Sequence, residues 1–234
     1  MKSKQGNFSF HPTSFKQLNV SEREGEKKLG DQFQLGTQIK NASYVLLGIS
    51  EDIGPQLNHG QAGAATGFSS VLGKLANMQS NAFLNGSEIG VLGEIKASVS
   101  FKSIATTKGT VEELDDFVFD VLQNHLSKEQ VPIVIGGGHN NALPLLRFAQ
   151  FQEKAPVFAV NIDPHADCRP TDYRHSGNPF SYAFKEEILC DYAVFGLHEQ
   201  YNNTAILDFM NENAVKKWTY EQYLDDSEIT ERDF

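Results

Sequence analysis

Two stretches decide how this sequence folds: VPIVIGGGHNNA at 131–142 and AVNIDPHADCRP at 159–170. Each carries a continuous apolar run, the pattern of a parallel strand buried on both faces rather than the alternation of a half-exposed one. Each then ends in residues that carry chemistry. The glycines Gly136, Gly137 and Gly138 permit dihedrals and close backbone approach denied to other residues, and His139 follows them directly. The second run ends in Asp163, His165 and Asp167, spaced i, i+2 and i+4. On a chain that stays extended, all three side chains point the same way. Pro164 favours that extension, since it disfavours helix at its neighbour and donates no hydrogen bond.

The same organisation recurs outward from these stretches. YVLLGIS (44–50), EIGVLGEI (88–95) and YAVFGL (192–197) read as further strands, and VPIVIGGG (131–138) and VFAVNID (157–163) belong with them. Between them, Phe68, Val71, Leu72 and Leu75 share a helical face. Thr110 with Glu113 reads as a capping box opening a helix whose Val111, Leu114, Phe117, Val118, Val121 and Leu122 share another. Strands alternating with helices mean βαβ units and a mainly parallel sheet, an α/β fold with its ligand site beyond the carboxyl ends of the strands. Residues 1–40, rich in Lys, Glu, Ser and Gln, read as an N-terminal arm on the body of the protein or a mobile tail, and 41–234 as one domain.

Bulk composition narrows the function classes. A length of 234 residues with 40% apolar content can fill one large α/β core. No apolar run of about eighteen residues exists, so no membrane span is expected. The opening Met1, Lys2, Ser3, Lys4, Gln5 lacks the apolar block of a signal peptide, and a cytoplasmic protein is the expectation. A formal charge of -10 argues against a nucleic-acid partner. Cys168 and Cys190 read as free thiols.

The cluster His139, Asp163, His165 and Asp167 offers two imidazoles and two carboxylates without a thiolate. That oxygen and nitrogen donor set suits Mn²⁺ or a similar ion better than a structural zinc. Carboxylates can also bridge two ions about 3.5–4 Å apart, a spacing at which a shared water becomes nucleophilic near neutral pH.

These motifs resemble the ureohydrolases, the family of arginase, agmatinase and formimidoylglutamase, which carry a G-G-x-H strand end and then a D-x-H-x-D strand end. NHGQAGAATGFSSVL (58–72) is similar to the family's N-x-G-R-x-G-A segment, with Gln61 where Arg is usual, and LGEI (92–95) also fits. GEKKLG (25–30) and Arg169, two residues after Asp167, are similar to formimidoylglutamase-like members. The loop RHSGNPFSYAF (174–184) resembles a third family element, whose histidine implies a proton-shuttling role for His175. The resemblance implies a three-layer α/β/α arginase-like fold, a binuclear manganese centre, a small amidine or guanidine substrate and a homo-oligomer. It points to formimidoylglutamate, hydrolysed to glutamate and formamide, with Arg169, Arg174 and Asn178 as substrate-binding residues. An agmatinase-type or arginase-type guanidine hydrolase is the alternative, and deacetylation on the same scaffold a weaker one.

Departures accompany the resemblance. Gly138 stands where the family has an acidic residue and Asn140 where it has Ser, which is expected to loosen ligand orientation. The family's further D-x-D strand has no counterpart after Asp167: Asp225 and Asp226 are adjacent, and the sequence ends at Phe234 in what reads as the start of a helix. The chain is therefore expected to be a piece of a longer protein lacking late strands from mid-sheet, or, if complete, a non-catalytic family member.

Overall fold

The apolar run Tyr44–Ser50 (β4) is buried from Val45 to Ile49, as a strand covered on both faces must be. In this computed structural model, which describes residues 3–225, it is an interior strand of a sheet. Its companions are β1 (Ser3–Gln5), β2 (Phe8–Pro12), β3 (Gln34–Leu35), β5 (Ile89–Ala97) and β6 (Val131–Ile135). The order is β1-β2-β5-β4-β6, with β3 also on β5. Pairing is parallel for β3, β4, β5 and β6, and antiparallel where the β1–β2 hairpin adds to β5. Asp226 and the stretch 227–234, read above as a helix start, lie outside the described residues.

Helices cover both faces of this sheet. On one, Leu46 and Val91 pack with Phe68 and Leu72 of α2 (Gly67–Ala76), which follows the short α1 (Ile53–Leu57). Gly48 is required there, because a Cβ would lie 2.2 Å from the Phe68 ring. On the other face, Ile49, Ile95 and Phe10 are in register, and Phe8 stacks on Phe117 at 6.5 Å. Phe117 belongs to α4 (Thr110–His125), preceded by α3 (Ile104–Thr107). The helix over 110–125 forms as its apolar spacing requires, but the capping box does not. Gly109 is the N-cap at φ 95° with no side-chain cap, and the Glu113 carboxylate instead accepts from Asn7 N (2.6 Å) and Asn7 Nδ2 (2.8 Å). A tertiary partner has outbid the local one.

The described chain divides into two compact units, Met1–Gly138 and His139–Phe234. The second holds a three-stranded, all-parallel sheet, β7 (Val157–Ile162), β8 (Leu189–Leu197) and β9 (Lys216–Thr219). Its helices are α5 (Ala142–Glu153), α6 (Pro179–Lys185), α7 (Thr204–Glu212) and α8 (Tyr220–Asp225). Leu143, Phe180, Ile206 and Met210 form one core with Ala159, Tyr192 and Val194 of the sheet. That core lies on one face only. β7 is the edge strand and alternates, so Phe158, Val160 and Ile162 are exposed where the continuous run led us to expect burial on both sides. On β8 and β9, Phe195 and Trp218 stack in parallel at 4.3 Å.

Candidate metal centre

β6 ends in a turn that only glycine enters without strain. Gly136 and Gly137 have φ of 87° and 70°, and a Cβ on Gly136 would lie 3.1 Å from Ile49 O and 3.3 Å from Phe68 N. Gly136→Ala should therefore cost about 1–2 kcal/mol from the left-handed backbone alone, read as a lower denaturant midpoint; an unchanged midpoint would contradict this account. The next turn is held by a carboxylate that the sequence did not flag. Glu51, buried at the end of β4, accepts from Gly54 N (2.9 Å) and from Gly138 N (2.8 Å). An acidic group thus reaches the backbone of the residue where the family resemblance led us to expect an acidic side chain.

His139 opens a one-turn 3-10 helix, His139–Asn141, and its Nδ1 lies 2.7 Å from Asp167 Oδ2 and 3.6 Å from Asp163 Oδ2. Ligand atoms of His139, Asp163 and Asp167 all fall within 4.8 Å of one another, close enough to share one ion. His165 stands outside this trio. It faces Asp163 from the other side, Nδ1 to Oδ1 at 3.2 Å, and stacks on Tyr201 at 5.4 Å. The Asp163 carboxylate therefore turns one oxygen towards each imidazole.

The expected extended chain is not what joins these groups. β7 stops at Ile162, the chain bends through 163–165, and Asp167 adopts φ 47°. Strand alternation would have kept Asp163 and Asp167 four residues apart along a line; the turn folds them back on one centre. Asp and Asn tolerate this left-handed conformation better than other side chains, which suits Asp167 to the position.

Burial disfavours the charged form of His139, but the hydrogen bond to Asp167 and the charges of Asp167 and Asp163 outweigh it and raise its pKa. Phe180 meets the His139 ring edge-on at 5.6 Å and stacks on Tyr192 at 4.2 Å. Cys168 takes no part: its buried Sγ donates to Ala166 O (3.2 Å), and burial pushes the thiol up, with Asp167 adding to the shift. Tyr192 is likewise pushed up, chiefly by burial. What faces the centre is imidazole and carboxylate, a donor set that fits Mn²⁺.

The loop after Asp167 places the three residues expected to bind substrate, and two of them are buried. Arg174 is 1% exposed; Nη1 donates to Asn178 Oδ1 (2.8 Å), Nη2 to Asn140 O (2.9 Å), and the guanidinium lies 5.0 Å from the Tyr182 ring centre. Asn178 is fully buried, with Oδ1 accepting from Arg174 and from His175 N (3.1 Å) and Nδ2 donating to Pro170 O (3.0 Å) and Tyr173 O (2.8 Å). That uses the amide's whole capacity within the loop, so Asn178 holds the loop's backbone together. Arg169 differs: its backbone is tied to Gly177 O (3.0 Å) and Ser181 Oγ (2.7 Å), while the residue is exposed. His175 is buried, and its Nδ1 accepts from Gly177 N (3.0 Å).

Comparison with known proteins bears on the whole arrangement. The arginase family profile matches residues 42–232. The chain belongs to the arginase family. Curated arginase-family relatives include the formimidoylglutamase of Rhodococcus jostii, 30% identical over 172 residues covering 70% of this chain and 50% of that one. The formimidoylglutamase of Staphylococcus epidermidis is 22% identical, covering 88% and 61%. The chain thus spans about half the length of the curated relatives it matches. Among solved structures, Trypanosoma cruzi formiminoglutamase with Mn²⁺ matches at TM-score 0.66 and 22% identity over 89% of this chain and 70% of that one. Formimidoylglutamase from Bacillus subtilis matches at 0.69 and 16%, over 89% and 64%. The α/β arginase-like fold is therefore shared. Among the described residues no helix is long and apolar enough to cross a membrane.

Proposed function

We propose that this chain carries the manganese-binding part of an amidine hydrolase acting on formimidoylglutamate. The observation that carries the reading is the convergence of His139, Asp163 and Asp167 within 4.8 Å, in a family whose relatives include formimidoylglutamases. His139, Asp163 and Asp167 would hold one ion, and Asp163 with His165 would offer donors to a second. Bound manganese supplies Lewis-acid polarisation and activation of water for attack on the formimidoyl carbon.

The chain's own residues do the remainder. With Nδ1 accepting from Gly177 N, the neutral His175 ring carries its proton on Nε2, the nitrogen that passes it towards the leaving amine. Arg169 pairs with the substrate carboxylates through its planar guanidinium. Arg174 and Asn178 shape the loop that presents both. Water adds across the amidine carbon, the C–N bond to glutamate breaks, and formamide and glutamate result. Arg169→Ala should raise KM at least 10-fold with kcat changed far less, since the contact is equally present in ground and transition states; a loss confined to kcat would remove Arg169 from substrate binding.

The test is a product assay in Mn²⁺. Formamide and glutamate in equal amounts support the reading, and urea released from agmatine or arginine redirects it to guanidine hydrolysis. Mn²⁺ binding without turnover of any of these substrates would leave a metal-binding, non-catalytic family member.

A further inference from the structure

The turn that gathers Asp163 and Asp167 takes Pro164, His165 and Ala166 off the β7 ladder, so their backbone groups need other partners. Side chains from elsewhere in the unit supply them. His165 O accepts from Asn161 Nδ2 (3.2 Å), and Ala166 O accepts from Tyr192 Oη (2.9 Å). Ala166 N, between the two candidate ligands His165 and Asp167, donates to Asn202 Oδ1 (3.0 Å). The same Asn202 returns through Nδ2 to Pro164 O (3.0 Å) and to His198 O (3.0 Å).

We propose that Asn202 is a positioning residue for the metal centre. It is 7% exposed and lies in the loop that leaves the carboxyl end of β8, thirty-six residues from Ala166. It both accepts and donates, gripping the backbone on either side of His165. His198 N, also bonded to Pro164 O (3.0 Å), lays the loop alongside, and Tyr201, the residue before Asn202, covers the His165 ring. The amide's paired donor and acceptor is what the turn requires, since Pro164 presents a carbonyl and Ala166 an N–H. Without it, the backbone on either side of His165 loses a hydrogen bond, and Asp163 and Asp167 drift from a common centre.

The inference rests on the metal-centre reading, and Mn²⁺ titration of the full chain by calorimetry and electron paramagnetic resonance tests it. Asn202→Ala should weaken Mn²⁺ binding by about 10–100-fold, the range for loss of a group that orients a ligand. Asn202→Asp keeps the acceptor for Ala166 N but sets an acceptor-only oxygen against Pro164 O and His198 O, so it too should weaken Mn²⁺ binding. Asn203→Ala is the control. Asn203 caps α7 by accepting from Ile206 N (3.0 Å) and touches no part of the turn, so its loss should lower the melting temperature and leave Mn²⁺ affinity unchanged. Parental affinity in both Asn202 variants, or an affinity loss matched by Asn203→Ala at equal melting temperature, overturns the proposal. Failure of the parent chain itself to bind Mn²⁺ would sink the metal reading on which it stands.

Discussion

Asp167→Asn should weaken Mn²⁺ binding by more than the roughly 10–100-fold that follows loss of an outer partner, because it removes a charged ligand outright. Asparagine has the same shape as aspartate and tolerates φ near 47°, so the turn at this position should survive. An amide oxygen 2.7 Å from His139 Nδ1 can still share a hydrogen bond, but it brings no negative charge to a divalent cation. The variant therefore separates fold from affinity, and calorimetric titration against the parent reads the difference. Equal affinity in the two proteins would mean that Asp167 is a structural partner of His139 and nothing more. Asp167→Ala is the poorer test, since it adds backbone strain to the lost charge.

The second large effect concerns stability. Arg174→Lys and Arg174→Ala should each cost about 3 kcal/mol or more, taking charged hydrogen bonds at roughly 1.5–3 kcal/mol each. Two such bonds, to Asn178 Oδ1 and Asn140 O, run from one buried guanidinium. Lysine cannot serve both in fork geometry, so its retained charge gives little rescue. Removing the arginine also leaves the Asn178 oxygen and the Asn140 carbonyl short of a donor in a buried setting. Urea unfolding gives the comparison, and a midpoint like the parent's would return Arg174 to the pool of substrate-facing candidates. Arg169→Ala should do the reverse and leave the midpoint unmoved, because its side chain is exposed.

What could be read from the sequence divides along physical lines. The strands at 131–135 and 157–162 were legible because apolar runs of that length bounded by glycine, proline or charge leave few alternatives. His139, Asp163 and Asp167 could be singled out because each stands within five residues of the end of such a run. The shape of the turn between Asp163 and Asp167 was not, since a proline and alternating polar residues favour extension, and the bend is imposed by Asn202, Tyr192 and Asn161 from outside it. Glu113 misled for a similar reason: a correct local capping pattern lost its carboxylate to Asn7, 106 residues away. Arg174 and Asn178 were expected to bind substrate because the family resemblance and the pairing of guanidinium with carboxylate imply it. Their burial depends on each other, which no spacing rule records. Asn202 carried no signal at all; beside it, Asn203 follows the ordinary pattern of a helix cap, and one asparagine of the pair disguises the other.

The face-to-face pair of Phe195 and Trp218 gives this protein a built-in optical reporter. Trp218 is the sole tryptophan of the chain, and it sits on β9 of the second unit, against the strand whose far end leads into the loop bearing Asn202. Its emission will report the melting of that sheet and stay silent on the first unit, whose one tyrosine, Tyr44, and helices must be followed by other light. Excited-state intensity and helical dichroism, recorded on one heated sample, would therefore reveal whether the two units come apart together or in turn.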